Sequence, residues 1–217
     1  LNLFPRSPRS LSLGKAREIA DAVRGQVRTV GVFVDTPTRE LMAIMDTIGL
    51  DFAQLHGDEW PDEVAVLGKR AIKVFRSLPV TPVHIARHPL VWGFLVDTPS
   101  AKLYGGTGIT WDWRGLRDVR SPKPMIIAGG ISPENVRRAL TESAADGVDV
   151  NSGVEMSPGV KDPRRLKMLF EELRRGVLGQ VSPALERAHR PRRDREDLGI
   201  HHEATAADTV LVAERFD

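Results

Sequence analysis

Short apolar runs punctuate the chain at nearly regular intervals. They are Val30-Gly31-Val32-Phe33-Val34, Phe52-Ala53-Gln54-Leu55, Ala71-Ile72-Lys73-Val74-Phe75, Phe94-Leu95-Val96, Met125-Ile126-Ile127-Ala128 and Val148-Asp149-Val150. They stand roughly 20 to 30 residues apart, about the length of one strand-plus-helix unit. Most are continuous rather than alternating, which predicts parallel strands covered on both faces. Leu1-Asn2-Leu3-Phe4 is a weaker run at the start of the chain.

Between the runs the apolar spacing changes to that of helices. Ser12 can cap a segment with Ala16, Ile19, Ala20 and Val23 on one face. Leu41, Ile44, Met45 and Ile48 follow Thr38 in the same way. Ser132-Pro133-Glu134 reads as a cap, a proline at the first helical position and an early acid, with Val136, Ala139 and Leu140 behind it. Asp162-Pro163 predicts another start, with Leu166, Leu169, Phe170 and Leu173 as the apolar stripe. Segments 61–68 and 111–119 are weaker helices. Strands alternating with helices in this way predict an open doubly wound sheet or a (β/α)₈ barrel.

From about Val177 the pattern dissolves. Residues 187–197 are a mixed-charge run with almost no apolar content, which predicts a charged, poorly ordered tail over 177–217 beyond a folded domain over 1–176. Val210-Leu211-Val212 is a small apolar island able to dock back. The His201-His202 pair has neither helical spacing nor a nearby cysteine to make a metal site.

Composition narrows the chemistry. The chain has 217 residues, a net charge of +2 and no cysteine. Disulfides, thiolate metal sites and a cysteine nucleophile are therefore excluded within it. The charge balance gives no reason to expect nucleic acid or an acidic membrane as partner. The longest apolar stretch, about Leu90 to Val96, is too short to span a bilayer, and a cytoplasmic location is expected.

Polar residues at strand ends carry the candidate chemistry, because active sites in parallel α/β folds form there. Asp97 ends the run Phe94-Leu95-Val96; a carboxyl rising from an apolar strand into a half-enclosed mouth suits a general acid, although an Asx turn with Thr98-Pro99 fits the same residues. Asp149 holds the matching place on the last strand. Gln54 and His56 share one side of their strand. Arg9 can grip a carboxylate with two parallel hydrogen bonds, whereas Arg6 reads as a solvated loop residue. Gly129 and Gly130 stand at a strand end, and Asn151-Ser152-Gly153 at the next one. Together they predict two adjacent loops whose backbone N–H groups hold a phosphate. Gly105-Gly106-Thr107-Gly108 alone is a weak signal and is not a Walker A loop.

The ordered set resembles the phosphoribosylanthranilate isomerase family. The matching segments are Phe4-Pro5-Arg6-Ser7-Pro8-Arg9, Val30 to Val34, Gln54-Leu55-His56-Gly57-Asp58-Glu59, Val96-Asp97-Thr98, Tyr104-Gly105-Gly106-Thr107-Gly108 with Asp112-Trp113, Ala128-Gly129-Gly130 with Ser132-Pro133-Glu134-Asn135-Val136, and Asp149 to Glu155 with Ser157-Pro158-Gly159. The resemblance covers about residues 1–175. It implies a TIM barrel and an Amadori rearrangement in tryptophan biosynthesis. In that reaction a general acid opens the ribosyl ring and a general base removes the C2′ proton. It implies Asp97 as general acid and Arg9 as the holder of the anthranilate carboxylate. Gly129, Gly130, Ser152 and Gly153 would bind phosphate, and Gln54, His56 and Asp149 would line the mouth. It implies a phosphorylated small-molecule substrate, no cofactor or metal, and a monomer or homodimer.

Two departures stand out. The family's base is a cysteine on the first strand, which has no counterpart here, and Ile109 stands where a basic residue is common. The expectation is a barrel reduced to about seven strands, lacking roughly 25 to 30 N-terminal residues, with open edges and little activity of its own. Two other readings stay open. One is a histidine-pathway or dual sugar-phosphate isomerase using Asp97 and Asp149 as paired acids. The other is a non-catalytic phosphate-binding barrel fragment.

Overall fold

The computed structural model describes residues 1–98, 111–179 and 210–213. Six parallel strands form one curled sheet: β1 (Val30–Phe33), β2 (Phe52–Leu55), β3 (Ala71–Phe75), β4 (Gly93–Val96), β5 (Met125–Ile127) and β6 (Gly147–Val150). Each pairs with the next in chain order, as right-handed strand–helix–strand repeats require. The weak first run contributes a single parallel bridge, Asn2 to Val32, on the outer edge of β1. On the opposite edge, β9 (Val210–Ala213) pairs antiparallel with β6, Val150 facing Val210 and Gly147 facing Ala213. The apolar island near the C-terminus thus docks on the sheet. This is the strand-and-helix order of a (β/α)₈ barrel, wrapped far enough to form one mouth at the C-terminal strand ends.

Helices α1 (Leu13–Ala22), α2 (Thr38–Ile48), α3 (Pro61–Leu67), α4 (Pro82–Ala86), α5 (Val136–Ser143) and α6 (Pro163–Gly179) occupy the connections. Their starts and stops follow local chemistry. Ser12 accepts a hydrogen bond from the Lys15 N–H at 3.2 Å, and Asp162 accepts from the Arg164 N–H at 2.8 Å. Gly49 ends α2 at φ 81°, where a side chain would be strained.

Some expectations need correction. Helix α5 begins at Val136, not at Pro133. Asn135 Oδ1 accepts from the Ser132 N–H at 2.9 Å, closing a turn where a first helical turn was expected. Phe170, expected within the α6 stripe, is 39% exposed, while Leu169 is fully buried. Segment 111–119 contributes only a 3₁₀ turn over Trp113–Leu116. Helix α4 and the hairpin of β7 (Glu155–Ser157) with β8 (Val160–Lys161) had no periodic signal, being too short for one.

Continuous apolar strands let the sheet bury both faces. Ala53, Leu55, Phe94, Val96, Ile127 and Val148 pack outward against the helices. Ile72, Val74, Leu95, Ile126 and Ala128 form a second cluster on the concave face. Lys73 lies on an outward-facing position of β3 and is nonetheless buried. Its ammonium donates to Glu59 at 2.5 Å and to the Gly57 carbonyl at 2.8 Å, which compensates the buried charge. Glu59 also accepts from the N–H groups of Asp35 and Gly57, so the turn after β2 is tied to its neighbours on both sides.

Candidate active site

One pocket opens at the C-terminal ends of the strands. Arg9, Gln54, His56, Asp97, Gly129, Gly130, Asp149 and Ser152 all line it, as do Asn2, Ser7, Val34 and Asn151. Strand alternation explains the convergence: Gln54 and His56 on β2, Asp97 after β4 and Asp149 on β6 all fall on concave-face positions. Gly153 does not line the pocket. A Cβ there would stand 1.9 Å from the Ile131 carbonyl oxygen, so the missing side chain lets the loops after β5 and β6 touch. Gly129 and Gly130 adopt φ 87° and 65°, and a Cβ on Gly129 would strike the Thr98 hydroxyl. The two loops expected to share a ligand are therefore in contact. Residues after β6 enter a 3₁₀ turn and the β7–β8 hairpin before α6 begins, rather than running directly into that helix.

Four polar side chains form a chain across the mouth. Asp149 Oδ2 accepts from Gln54 Nε2 at 3.3 Å, and the same nitrogen lies 3.3 Å from His56 Nδ1. His56 Nε2 lies 3.2 Å from Asp97 Oδ2, and Asp97 Oδ1 accepts from the Thr98 N–H at 2.6 Å. All four are buried. Asp149 Oδ1 is buried with no hydrogen-bond partner among the described residues. Burial, reinforced by the Asp97 charge, pushes the Asp149 carboxyl up to about 6. His56, the Gln54 hydrogen bond and Lys161 pull the other way without cancelling it.

Arg9 is held by an acid that the strand-end pattern did not single out. Its Nε donates to Glu155 at 2.9 Å and its Nη2 at 2.7 Å, so one edge of the guanidinium is fully engaged. The Nη1 corner makes no hydrogen bond among the described residues, and Arg9 lines the pocket. Lys161 reaches Glu155 at 3.3 Å and Asn151 Oδ1 at 2.8 Å, joining the hairpin to the loop after β6. Burial pushes the Glu155 carboxyl up, but the Arg9 hydrogen bond and the Lys161 charge outweigh it and hold it below its ordinary value. Burial likewise lowers the Lys161 ammonium, only partly offset by Glu155. The signal for this cluster lay in the sequence: an acid and a lysine bracket Ser157-Pro158-Gly159, and they face each other across the hairpin.

Arg6 is exposed, as expected of a solvated loop residue. The Gly105–Gly108 loop, Ile109 and the His201-His202 pair lie outside the described residues. Among the described residues no cluster of His, Asp and Glu is placed to hold a metal ion. No helix there is long and apolar enough to cross a membrane.

A family model described as N-(5′-phosphoribosyl)anthranilate (PRA) isomerase matches residues 2–172. A curated N-(5′-phosphoribosyl)anthranilate isomerase of Rubrobacter xylanophilus is 41% identical over 162 residues, covering 73% of this chain and 79% of the relative. The crystal structure of phosphoribosyl anthranilate isomerase from Thermus thermophilus superposes with a TM-score of 0.72 at 32% identity, covering 81% of this chain and 86% of that one. Another solved phosphoribosyl anthranilate isomerase is in complex with reduced 1-(o-carboxyphenylamino)-1-deoxyribulose 5-phosphate. It has a TM-score of 0.65 at 28% identity and covers 80% of this chain and 85% of its own.

Proposed function

Because the chain belongs to the N-(5′-phosphoribosyl)anthranilate isomerase family, we propose that its mouth pocket performs the Amadori rearrangement with Asp97 as general acid. Membership makes the protein an isomerase of tryptophan biosynthesis. The assignment of roles rests chiefly on one observation: an arginine with an open guanidinium corner, two carboxyls and a glycine-lined loop pair face a single pocket. Arg9 takes the anthranilate carboxylate through its Nη1 corner. The loops at Gly129–Gly130 and Ser152–Gly153 take the phosphate, where backbone can approach an anion closely. Asp97, fixed by Thr98 and His56, delivers a proton to the ribosyl ring oxygen. The substrate's own imine serves as electron sink, so the step needs no cofactor. The reading carries with it a cytoplasmic location.

No cysteine is present among the 217 residues to act as the family's base. The binding and acid functions are therefore expected to exceed the proton-abstraction function. Calorimetric titration of purified chain with the reduced product should show binding, and turnover of phosphoribosylanthranilate should be far below an ordinary enzyme rate. Turnover at an ordinary rate would overturn the missing-base argument. Asp97→Asn should lower the residual kcat/KM by roughly 10²- to 10⁴-fold while leaving reduced-product binding within a few-fold. Unchanged kcat/KM would remove Asp97 from the acid role.

A further inference from the structure

The chain Asp149–Gln54–His56–Asp97 is built around one side-chain amide, and the amide has a direction. Gln54 Nε2 faces Asp149 Oδ2 and His56 Nδ1 at once, both at 3.3 Å. An amide nitrogen carries two protons and accepts none. In this arrangement His56 Nδ1 must be an acceptor. Its single proton then sits on Nε2 and is donated to Asp97 Oδ2. Asp97 accepts that bond on one oxygen and the Thr98 N–H on the other. With both oxygens accepting, Asp97 has no proton to give in this arrangement.

Turning the Gln54 amide over exchanges donor and acceptor with almost no change of shape. Its oxygen then faces Asp149 and His56. Facing an ionised Asp149 is repulsive, so the turn requires a proton on Asp149, which then donates to the Gln54 oxygen. His56 must now carry its proton on Nδ1 to meet the same oxygen. Its Nε2 becomes an acceptor, and a second proton from solvent sits between Asp97 and His56 Nε2. The exchange takes up two protons and makes Asp97 a donor.

We propose that Gln54 is a positioning residue whose amide orientation couples the proton on Asp149 to the proton on the Asp97–His56 pair. The inference rests on the reading of Asp97 as general acid. Asp149 has the placement a trigger needs: it is buried, lines the pocket, and keeps Oδ1 without a hydrogen-bond partner among the described residues. Burial and the Asp97 charge raise its carboxyl to about 6. The groups that face it are Asp97 from the end of β4, His56 and Gln54 from β2, and Lys161 from β8, with Arg9 beyond Lys161. Asp97, His56 and Lys161 act on Asp149 through charge, whereas Gln54 is its hydrogen-bond partner.

That difference gives the test its sign. Charge alone predicts that neutralising Asp149 makes a proton on His56 less favourable. The amide relay predicts the opposite, because Asp149→Asn lets Gln54 turn over at any pH and so favours Nδ1–H on His56. Nitrogen-15 NMR of the His56 ring in the full chain reads both. In the parent protein His56 should carry its proton on Nε2 at pH 8 and gain it on Nδ1 together with protonation of Asp149. In Asp149→Asn the midpoint of Nδ1 protonation should move upward. In Gln54→Met, which offers no amide, the Asp149 carboxyl and the His56 ring should titrate at separate midpoints. A downward move in Asp149→Asn, or a common midpoint that survives in Gln54→Met, would overturn the relay. The Asp97→Asn assay stays independent. Full activity there would remove the acid reading while the His56 tautomer shift still stood.

Discussion

Asp149 is a costly side chain to fold at neutral pH. Its carboxyl is raised from 3.8 to about 6 by burial and by the Asp97 charge. A raised carboxyl contributes stability that is fully present below the unfolded value and lost as pH rises through the folded one. A shift of that size corresponds to about 3 kcal/mol at pH 7.5. Asp149→Asn should therefore raise the thermal midpoint at pH 7.5, and the gain should shrink toward zero near pH 4. An equal effect at both pH values would mean that the carboxyl's charge is not its cause. At this scale the sequence was partly legible. Strand-end position alone picked out Asp97, Asp149, Gln54 and His56, because strand alternation fixes which side chains enter a mouth. It did not pick out Glu155 as the partner of Arg9, since 146 residues separate them and no local period links them.

Among the elements, the turn between β2 and α3 is heavily tied. Glu59 accepts from two backbone N–H groups and from Lys73, whose ammonium also holds the Gly57 carbonyl. Both side chains are only 6% exposed. Removing one partner leaves the other charge buried and unpaired. Lys73→Met should cost roughly 3–5 kcal/mol in urea unfolding, and adding Glu59→Gln should recover part of that loss. No recovery in the double variant would show that Lys73 acts through packing alone. The apolar runs announced this strand but not the ion pair, for a lysine inside a continuous run carries no sign of where its head group goes. The α5 start misled for a similar reason. Ser-Pro-Glu is sound capping chemistry, yet the Asn135 side chain offered the Ser132 N–H a competing turn.

For the whole molecule, the repeat of strand and helix made the architecture legible, because parallel pairing in chain order follows from crossover connections. The far edge was less so. Three apolar residues marked Val210–Val212 as able to dock, but an isolated short run does not say against what, or in which direction. In the structure they lie antiparallel along β6. Deleting residues 210–213 should speed hydrogen exchange at the β6 backbone amides that bond to β9, while leaving the amides shared with β5 slow. Uniform protection with and without the deletion would show that this edge is covered otherwise.

The β6–β9 pairing also orders events during synthesis. Val150 and Val210, which face each other in the sheet, stand about 60 residues apart in the chain. At ~5–20 residues per second a ribosome needs roughly 3 to 12 seconds to add that stretch. Over that interval the nascent chain presents the outer edge of β6 with its backbone groups open to any passing strand. Synthesis of residues 210–213 thus ends that exposure of the β6 edge.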